Sequence, residues 1–309
     1  MAIKKNRPSR DTHRDARPDR SPRSDNRSDK RSDKRSDNKA RPPRRDHQPN
    51  DSQSHSQIRS EPRSDGPVLG KNCYLMFGKH PVEAALQNPR REKMRLWLTS
   101  AGRETLGDIL QDHSDISVQM VESDTLASMI HSDSPHQGMA MEVRRLGTVH
   151  LEEACKVEDG APNIVLALDQ VTDPHNIGAI MRSAIAFGAK AIITPDRHAP
   201  PETGVLAKSA AGMLELLPWV RVTNLGNALE ELAEAGYWRV GLDGDAKQEL
   251  STIDAGQNVV LVLGSEGKGM REGTQKKCDF MAKLPINPKI ESLNVSNAAA
   301  VALYELCRK

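Results

Sequence analysis

The chain reads as an α/β protein built on a parallel sheet, with a small α+β module and a basic low-complexity tail in front of it. Three observations carry this reading. Ile164–Leu168 and Val259–Leu263 are unbroken apolar runs, the composition of strands buried on both faces. Strand-like and helix-like patterns alternate from Asn163 to the C-terminus, as in successive βαβ units. Residues 1–66 contain no aromatic residue, and their only apolar residues are Met1, Ala2, Ile3, Ala16, Ala40 and Ile58. Such a segment cannot bury enough apolar surface to offset its conformational entropy.

Residues 1–69 therefore read as a disordered tail. Residues 1–66 hold 19 Lys and Arg against 11 Asp and Glu, and the remainder of the chain holds 25 against 31, so a basic arm precedes an acidic body. The run RSDK, RSDK, RSDN from Arg27 to Asn38 is a short repeat. The tail is either a solubilising extension or an electrostatic tether to RNA, and the interleaved Asp residues dilute the second role. No apolar stretch approaches the roughly 18–20 residues that span a bilayer. The charged N-terminus has no apolar segment of a secretory signal, and its many Asp residues argue against a transit peptide. Cys73, Cys155, Cys278 and Cys307 form neither a CxxC nor a His-paired zinc pattern. They read as reduced thiols in a cytoplasmic protein, with no metal and no membrane partner.

Residues 70–146 form the small α+β module. Tyr74–Phe77, Met94–Thr99 and Met139–Val143 are its expected strands, and His80–Leu86 starts a helix after Gly78. Residues 147–162 are a polar linker. In residues 163–309 the expected strands are Ile164–Leu168, Ala191–Thr194, Trp219–Val222, Trp238–Leu242, Val259–Leu263 and Met281–Leu284. The expected helices are Ile177–Phe187, closed by Gly188, then Ala207–Leu217, Ala228–Ala235 and Leu293–Leu306. Ligands of open α/β sheets bind outside the carboxyl ends of the strands. Three unusual stretches lie there.

Asp173-Pro-His-Asn-Ile-Gly178 leads into a helix whose apolar stripe is Ile177, Ile180, Met181, Ala184 and Ile185. Arg182 points roughly 130° away from the centre of that stripe, so it is either a solvated surface arginine or a cleft residue. His175 has no partner at metal-ligand spacing and reads as a turn residue. Leu263-Gly-Ser-Glu-Gly-Lys-Gly269 follows a buried strand, and its glycines let backbone approach a ligand closely. It fits neither GxGxxG nor a Walker A loop, which counts against an NAD- or ATP-binding enzyme. In Glu291–Ala300, Ser292, Asn294, Ser296 and Asn297 crowd one helix start. A cap needs one such residue, and the excess suggests contact with a ligand.

DPHNIGAIMRSA, LGSEGKGM and PINPKIESLNVSNAAA, in this order and spacing, resemble the three motifs of the SpoU/TrmH-type RNA 2′-O-methyltransferases of the SPOUT superfamily. FGKHPVEAAL and HQGMAMEV are similar to the start and end of that family's small substrate-binding domain, of L30e/L7Ae type, and KSAAGMLELLPWVRVTNL to its middle section. The resemblance covers about residues 73–309. It implies a trefoil-knotted methyltransferase domain, S-adenosylmethionine as cofactor, RNA as partner and a homodimer with the active site near its interface. It implies catalytic roles for Asn176, Arg182, Glu266, Ser292 and Asn294, and cofactor contacts at Gly264, Leu284 and Leu293. Leu284 stands where the family often has isoleucine. The likeness is strongest to members that methylate a guanosine ribose of 23S ribosomal RNA. The alternatives are a transfer-RNA ribose methyltransferase and a non-catalytic RNA-binding or ribosome-assembly protein; the presence of Arg182 and Asn294 argues against the latter.

Overall fold

The computed structural model describes residues 66–130, 134–197 and 199–308. The tail, with its expected disorder and its reading as an RNA tether, lies outside the described residues apart from its last few positions. The first sheet is assembled from β1 (Cys73–Phe77), α1 (Lys79–Gln87), β2 (Lys93–Leu98), α2 (Ser100–Leu106), β3 (Ser117–Met120), α3 (Ser123–Ile130) and β4 (Met139–Arg144). Its strand order is β1-β4-β2-β3. β4 is central and antiparallel to both β1 and β2. Its residues Met139–Val143 are all buried, including Glu142, which accepts from Arg95 Nε at 2.6 Å. β3 runs parallel to β2 at the edge, and all four of its residues are exposed. An edge strand with neither face buried carries no alternation of apolar and polar residues, so its sequence did not announce it.

The expected linker contains one short helix, α4 (Leu151–Ala154). Beyond it come β5 (Asn163–Leu168), α5 (Pro174–Ala186), β6 (Ala191–Pro195), α6 (Gly204–Ala210), β7 (Trp219–Val222) and α7 (Leu225–Glu234). The chain continues through β8 (Trp238–Leu242), β9 (Gln248–Glu249), β10 (Asn258–Leu263), α8 (Glu272–Gln275), β11 (Phe280–Lys283) and α9 (Val295–Cys307). These strands form one seven-stranded sheet in the order β7-β6-β5-β10-β8-β11-β9, and every pairing is parallel. The unbroken apolar runs have a simple cause. Ile164, Leu166 and Leu168 of β5 face a core with Ile177, Ile180 and Leu303, while Val165 and Ala167 face a second core with Leu229 and Leu232. Each fully buried Leu or Ile side chain contributes about 1.5–3 kcal/mol of transfer free energy.

Two helices depart from the periodic pattern. Ala207–Leu217 is not one helix. α6 ends at Ala210, Ala211 (φ 50) and Gly212 (φ 91) turn left-handed, and a 3₁₀ turn follows at Met213–Glu215. The break is tertiary. A Cβ on Gly212 would lie 2.9 Å from the Ala84 Cβ and 3.0 Å from the His80 carbonyl oxygen, so α1 packs directly on the bare glycine. α9 begins two residues later than the pattern suggested because Asn294 caps it, accepting from the Ser296 N–H at 2.9 Å. Gly188 (φ 71) closes α5 as its sequence position indicated.

α6 also packs on β1, and a Cβ on Gly204 would approach the Leu75 carbonyl oxygen to 2.3 Å. Beside this contact lies a buried ion cluster. The Arg91 guanidinium donates to Glu215 at 3.0 and 3.1 Å, to Glu202 Oε2 at 3.0 Å and to the Arg144 carbonyl at 2.6 Å. Asn88 Nδ2 donates to Glu215 Oε2 at 2.7 Å. Burial raises the Glu202 carboxyl above its usual range, with Arg91 opposing the shift. Burial likewise raises the neighbouring Tyr74 hydroxyl.

Candidate active site

Leu168 and Leu263 are register partners at the ends of β5 and β10, so the segments that follow these strands emerge side by side. After β5, Asp173 caps α5 by accepting from the His175 N–H at 2.9 Å, and Pro174 supplies the first helical position. Asn176 is thereby placed on the first turn of α5. After β10 the chain doubles back. Ser265 and Gly269 exchange backbone hydrogen bonds at 3.2 and 2.9 Å. A Cβ on Gly264 would lie 2.2 Å from the Gly269 carbonyl carbon and 2.3 Å from the Met270 nitrogen. Gly264 is thus required by the loop's own backbone, whatever else it contacts. The loop's far end is fastened to Asp169, which is fully buried at the end of β5 and accepts from the Arg271 N–H at 2.9 Å. Sequence reading passed over Asp169. Its signal was a carboxylate directly after an apolar strand.

The third segment, before α9, completes the site. One oxygen of Glu266, Oε1, accepts from Asn294 Nδ2 at 2.6 Å, from Asn176 Nδ2 at 3.2 Å and from the Val295 N–H at 3.1 Å. Asn294 Nδ2 also donates to Asn176 Oδ1 at 3.0 Å. Asn294 Oδ1 is occupied by Ser296, whose N–H and hydroxyl both donate to it. One polar residue from each of the three stretches therefore meets at a single carboxylate. Asn294 does double duty as helix cap and as bridge.

Against this cluster opens a cleft of about 350 Å³. Gly264, Leu284 and Leu293, the expected cofactor contacts, all line it, as do Glu266 and Ser292. Leu242, Asp243 and Ile286 also line it and had not been singled out. Leu242 and Asp243 follow from the topology, because β8 lies beside β10 and ends at the same edge. Asp243 is held in place by Asp245 N–H at 2.9 Å and Gln275 Nε2 at 3.3 Å. Ser292 makes no hydrogen bond to the cluster. Arg182 also stands apart. It is exposed on α5, and six residues of helix place it about 9 Å along the axis and about 120° around from Asn176. His175 is a turn residue whose Nδ1 lies 2.9 Å from the Ser209 hydroxyl. Among the described residues, no three His, Cys, Asp or Glu side chains gather as a metal site, and no helix is long and apolar enough to cross a membrane. The four cysteines are unpaired, and burial pushes the Cys155 thiol up to about 12.

A parallel sheet thus delivers three polar motifs to one cleft at its strand ends, and the chain's likeness to known proteins gives the class as RNA methyltransferases. Residues 163–304 match the SpoU rRNA Methylase family, and residues 75–148 match the RNA 2′-O ribose methyltransferase substrate binding family. The chain is 38% identical over 238 residues to the 23S rRNA (guanosine-2′-O-)-methyltransferase RlmB of Pseudomonas putida, covering 76% of this chain and 96% of that one. It is 34% identical to the protein of the same name from Coxiella burnetii, with 76% and 95% covered. Its fold is similar to the SpoU methyltransferase AviRb from Streptomyces viridochromogenes, crystallised with AdoMet, at a TM-score of 0.65 and 25% identity over 77% of this chain and 90% of that one. The chain belongs to the SpoU family of RNA methylases.

Proposed function

We propose that the protein transfers a methyl group from S-adenosylmethionine to a ribose 2′-hydroxyl of structured RNA, and that its substrate is a guanosine of 23S ribosomal RNA. The observation that carries the reaction is the convergence of Asn176, Glu266 and Asn294 at the mouth of a cleft lined by Gly264, Leu284 and Leu293. The names of the relatives support the 23S guanosine over a transfer RNA.

The cleft fits this cofactor. Leu242, Leu263, Leu284, Ile286 and Leu293 offer an apolar wall for an adenine ring, and the Asp243 and Glu266 carboxylates suit cationic groups. When bound, S-adenosylmethionine supplies an electrophilic methyl group on a sulfonium. The protein's residues do the rest. The Glu266 cluster fixes the first turns of α5 and α9 against each other, so that attack geometry is set before RNA arrives. A ribose hydroxyl is a poor nucleophile at neutral pH. A guanidinium is a poor proton acceptor, so Arg182 acts by stabilising the developing alkoxide electrostatically. Arg182 lies outside the cluster of its own chain, which supports a homodimer with the active site near its interface. Ser292, on the cleft wall, supplies a further polar group.

The same reading divides the chain into a basic tail (1–69), an L30e-like RNA-binding domain (70–146), a linker (147–162) and a knotted methyltransferase domain (163–309). The non-sequential strand order, in which β10 enters between β5 and β8 and β11 then between β8 and β9, is compatible with a trefoil knot. We place the protein in the cytoplasm, with the tail as an electrostatic tether to RNA.

Calorimetric titration with S-adenosylmethionine tests the site. Ala298 lines the cleft from α9. Ala298→Phe fills part of the cleft, and affinity should fall by at least about tenfold. Wild-type affinity in a folded Ala298→Phe protein would place the cofactor elsewhere.

A further inference from the structure

Lys208, on α6, lies where the first sheet meets the second, and its surroundings are unusual for a lysine. Its Nζ donates to Gln137 Oε1 at 2.6 Å. The same oxygen accepts from the Lys79 N–H at 3.1 Å, at the start of α1. Two backbone departures make room for this arrangement. Gln137 is left-handed (φ 54), a conformation non-glycine residues seldom take. Gly78 (φ 91) has no side chain, and a Cβ there would lie 2.4 Å from the Lys208 Nζ.

The ammonium is half-buried against a neutral amide. No carboxylate pairs with it among the described residues. Burial lowers its pKa, as expected of a partly desolvated cation without an anion. A docking contact alone would not need a charge, and an unpaired, partly desolvated charge costs stability. The first turn of α1 beside it has no acidic residue, and its Lys79 N–H is already bonded to Gln137. The next residue, Ser209, contacts His175, which directly precedes Asn176 of the catalytic cluster. Lys208 is thus one residue from a side chain that touches the turn carrying Asn176. The anion that suits this place is a phosphodiester of an RNA strand crossing from the small sheet toward the cleft.

We propose that Lys208 is a positioning residue that binds a backbone phosphate flanking the target ribose. This rests on the RNA-methylation reading above. The test uses full-length protein and total RNA from cells lacking it, so that it holds whether the acceptor is ribosomal or transfer RNA. Methyl transfer by the wild type onto that RNA is the control. Its absence would sink the reading and leave the phosphate contact to be decided by RNA binding alone. Lys208→Gln keeps a hydrogen-bond donor toward Gln137 and removes the charge. KM for RNA should rise about tenfold with kcat little changed, as expected for loss of one charged hydrogen bond. The slope of log affinity against log salt should fall by about one, the signature of one lost phosphate contact. Affinity for S-adenosylmethionine should not move. Lys208→Arg should recover most of the loss, and Gln137→Ala should cause little of it. An unchanged salt slope in Lys208→Gln, or the same KM defect in Gln137→Ala, would make Lys208 a docking contact and overturn the proposal. If Lys208→Gln does not fold, Lys208→Met removes the same charge and is read in the same way, an unchanged salt slope again overturning the proposal.

Discussion

Asn294 and Glu266 are joined by a 2.6 Å hydrogen bond across 28 residues of sequence, and that bond ties the cap of α9 to the glycine-rich loop after β10. The amide that makes it also bonds to Asn176, 118 residues earlier in the chain. Neither partner is buried, so burial does not explain the cluster. Its geometry does, because it locks together the segments that flank the cleft.

Asn294→Ser separates the two duties of this residue. Serine caps a helix about as well as asparagine, so stability should change by less than about 1 kcal/mol. The amide donors to Glu266 and Asn176 are lost, and kcat should fall by about 10²-fold. Thermal unfolding alongside single-turnover methyl transfer checks both halves. A variant with wild-type turnover would reduce the cluster to a structural cap.

Arg182→Ala tests the exposed member of the proposed machinery. The side chain leaves no cavity, so stability should stay within about 0.5 kcal/mol of the wild type. S-adenosylmethionine affinity should also hold, while the methyl-transfer rate falls by about 10²–10³. Near-normal turnover would remove Arg182 from catalysis.

Arg91→Ala addresses the buried ion cluster. Both side chains of the Arg91–Glu215 pair are fully buried, so deletion of the guanidinium leaves uncompensated carboxylates inside the protein. The cost should be about 3–5 kcal/mol in denaturant unfolding. A loss below about 1 kcal/mol would mean that the cluster relaxes into water.

Glu202 makes that cluster's stability depend on pH. Its folded pKa is raised, chiefly by burial. A raised pKa means that protonation favours the folded state. This contribution is full below the unfolded carboxyl value near 4.3 and is lost as pH rises through the folded value. Glu202→Gln lacks the titration. Wild-type stability relative to this variant should therefore rise as pH falls from 7 toward 4.5. A flat difference across that range would show that Arg91 compensates the charge completely.

Much of this was legible in the residues. β5 and β10 declared themselves because strands covered on both faces are almost wholly apolar, as Ile164–Leu168 and Val259–Leu263 are. Leu284 and Leu293, singled out by motif resemblance, line the cleft, and the crowding of Ser292, Asn294 and Ser296 marked a helix start with more polar groups than a cap needs. What stayed hidden has a common cause, which is dependence on distant partners. Arg91 and Glu215 are 124 residues apart and look like ordinary surface charges until the fold brings them together. The break in α6 depends on α1 touching Gly212. Asp169 gains its role only when the loop returns Arg271 to it. Arg182 was legible as a residue off the core stripe, but nothing in the helix period says what it faces.

A site-by-site ribose-methylation map of total RNA, from cells with and without the protein, tests the central claim most directly. The account predicts that a single guanosine of 23S ribosomal RNA loses its 2′-O-methyl group when the protein is absent. It predicts that wild-type protein restores the group and that Asn294→Ser protein does not. A map in which no ribose site changes in any RNA would contradict it.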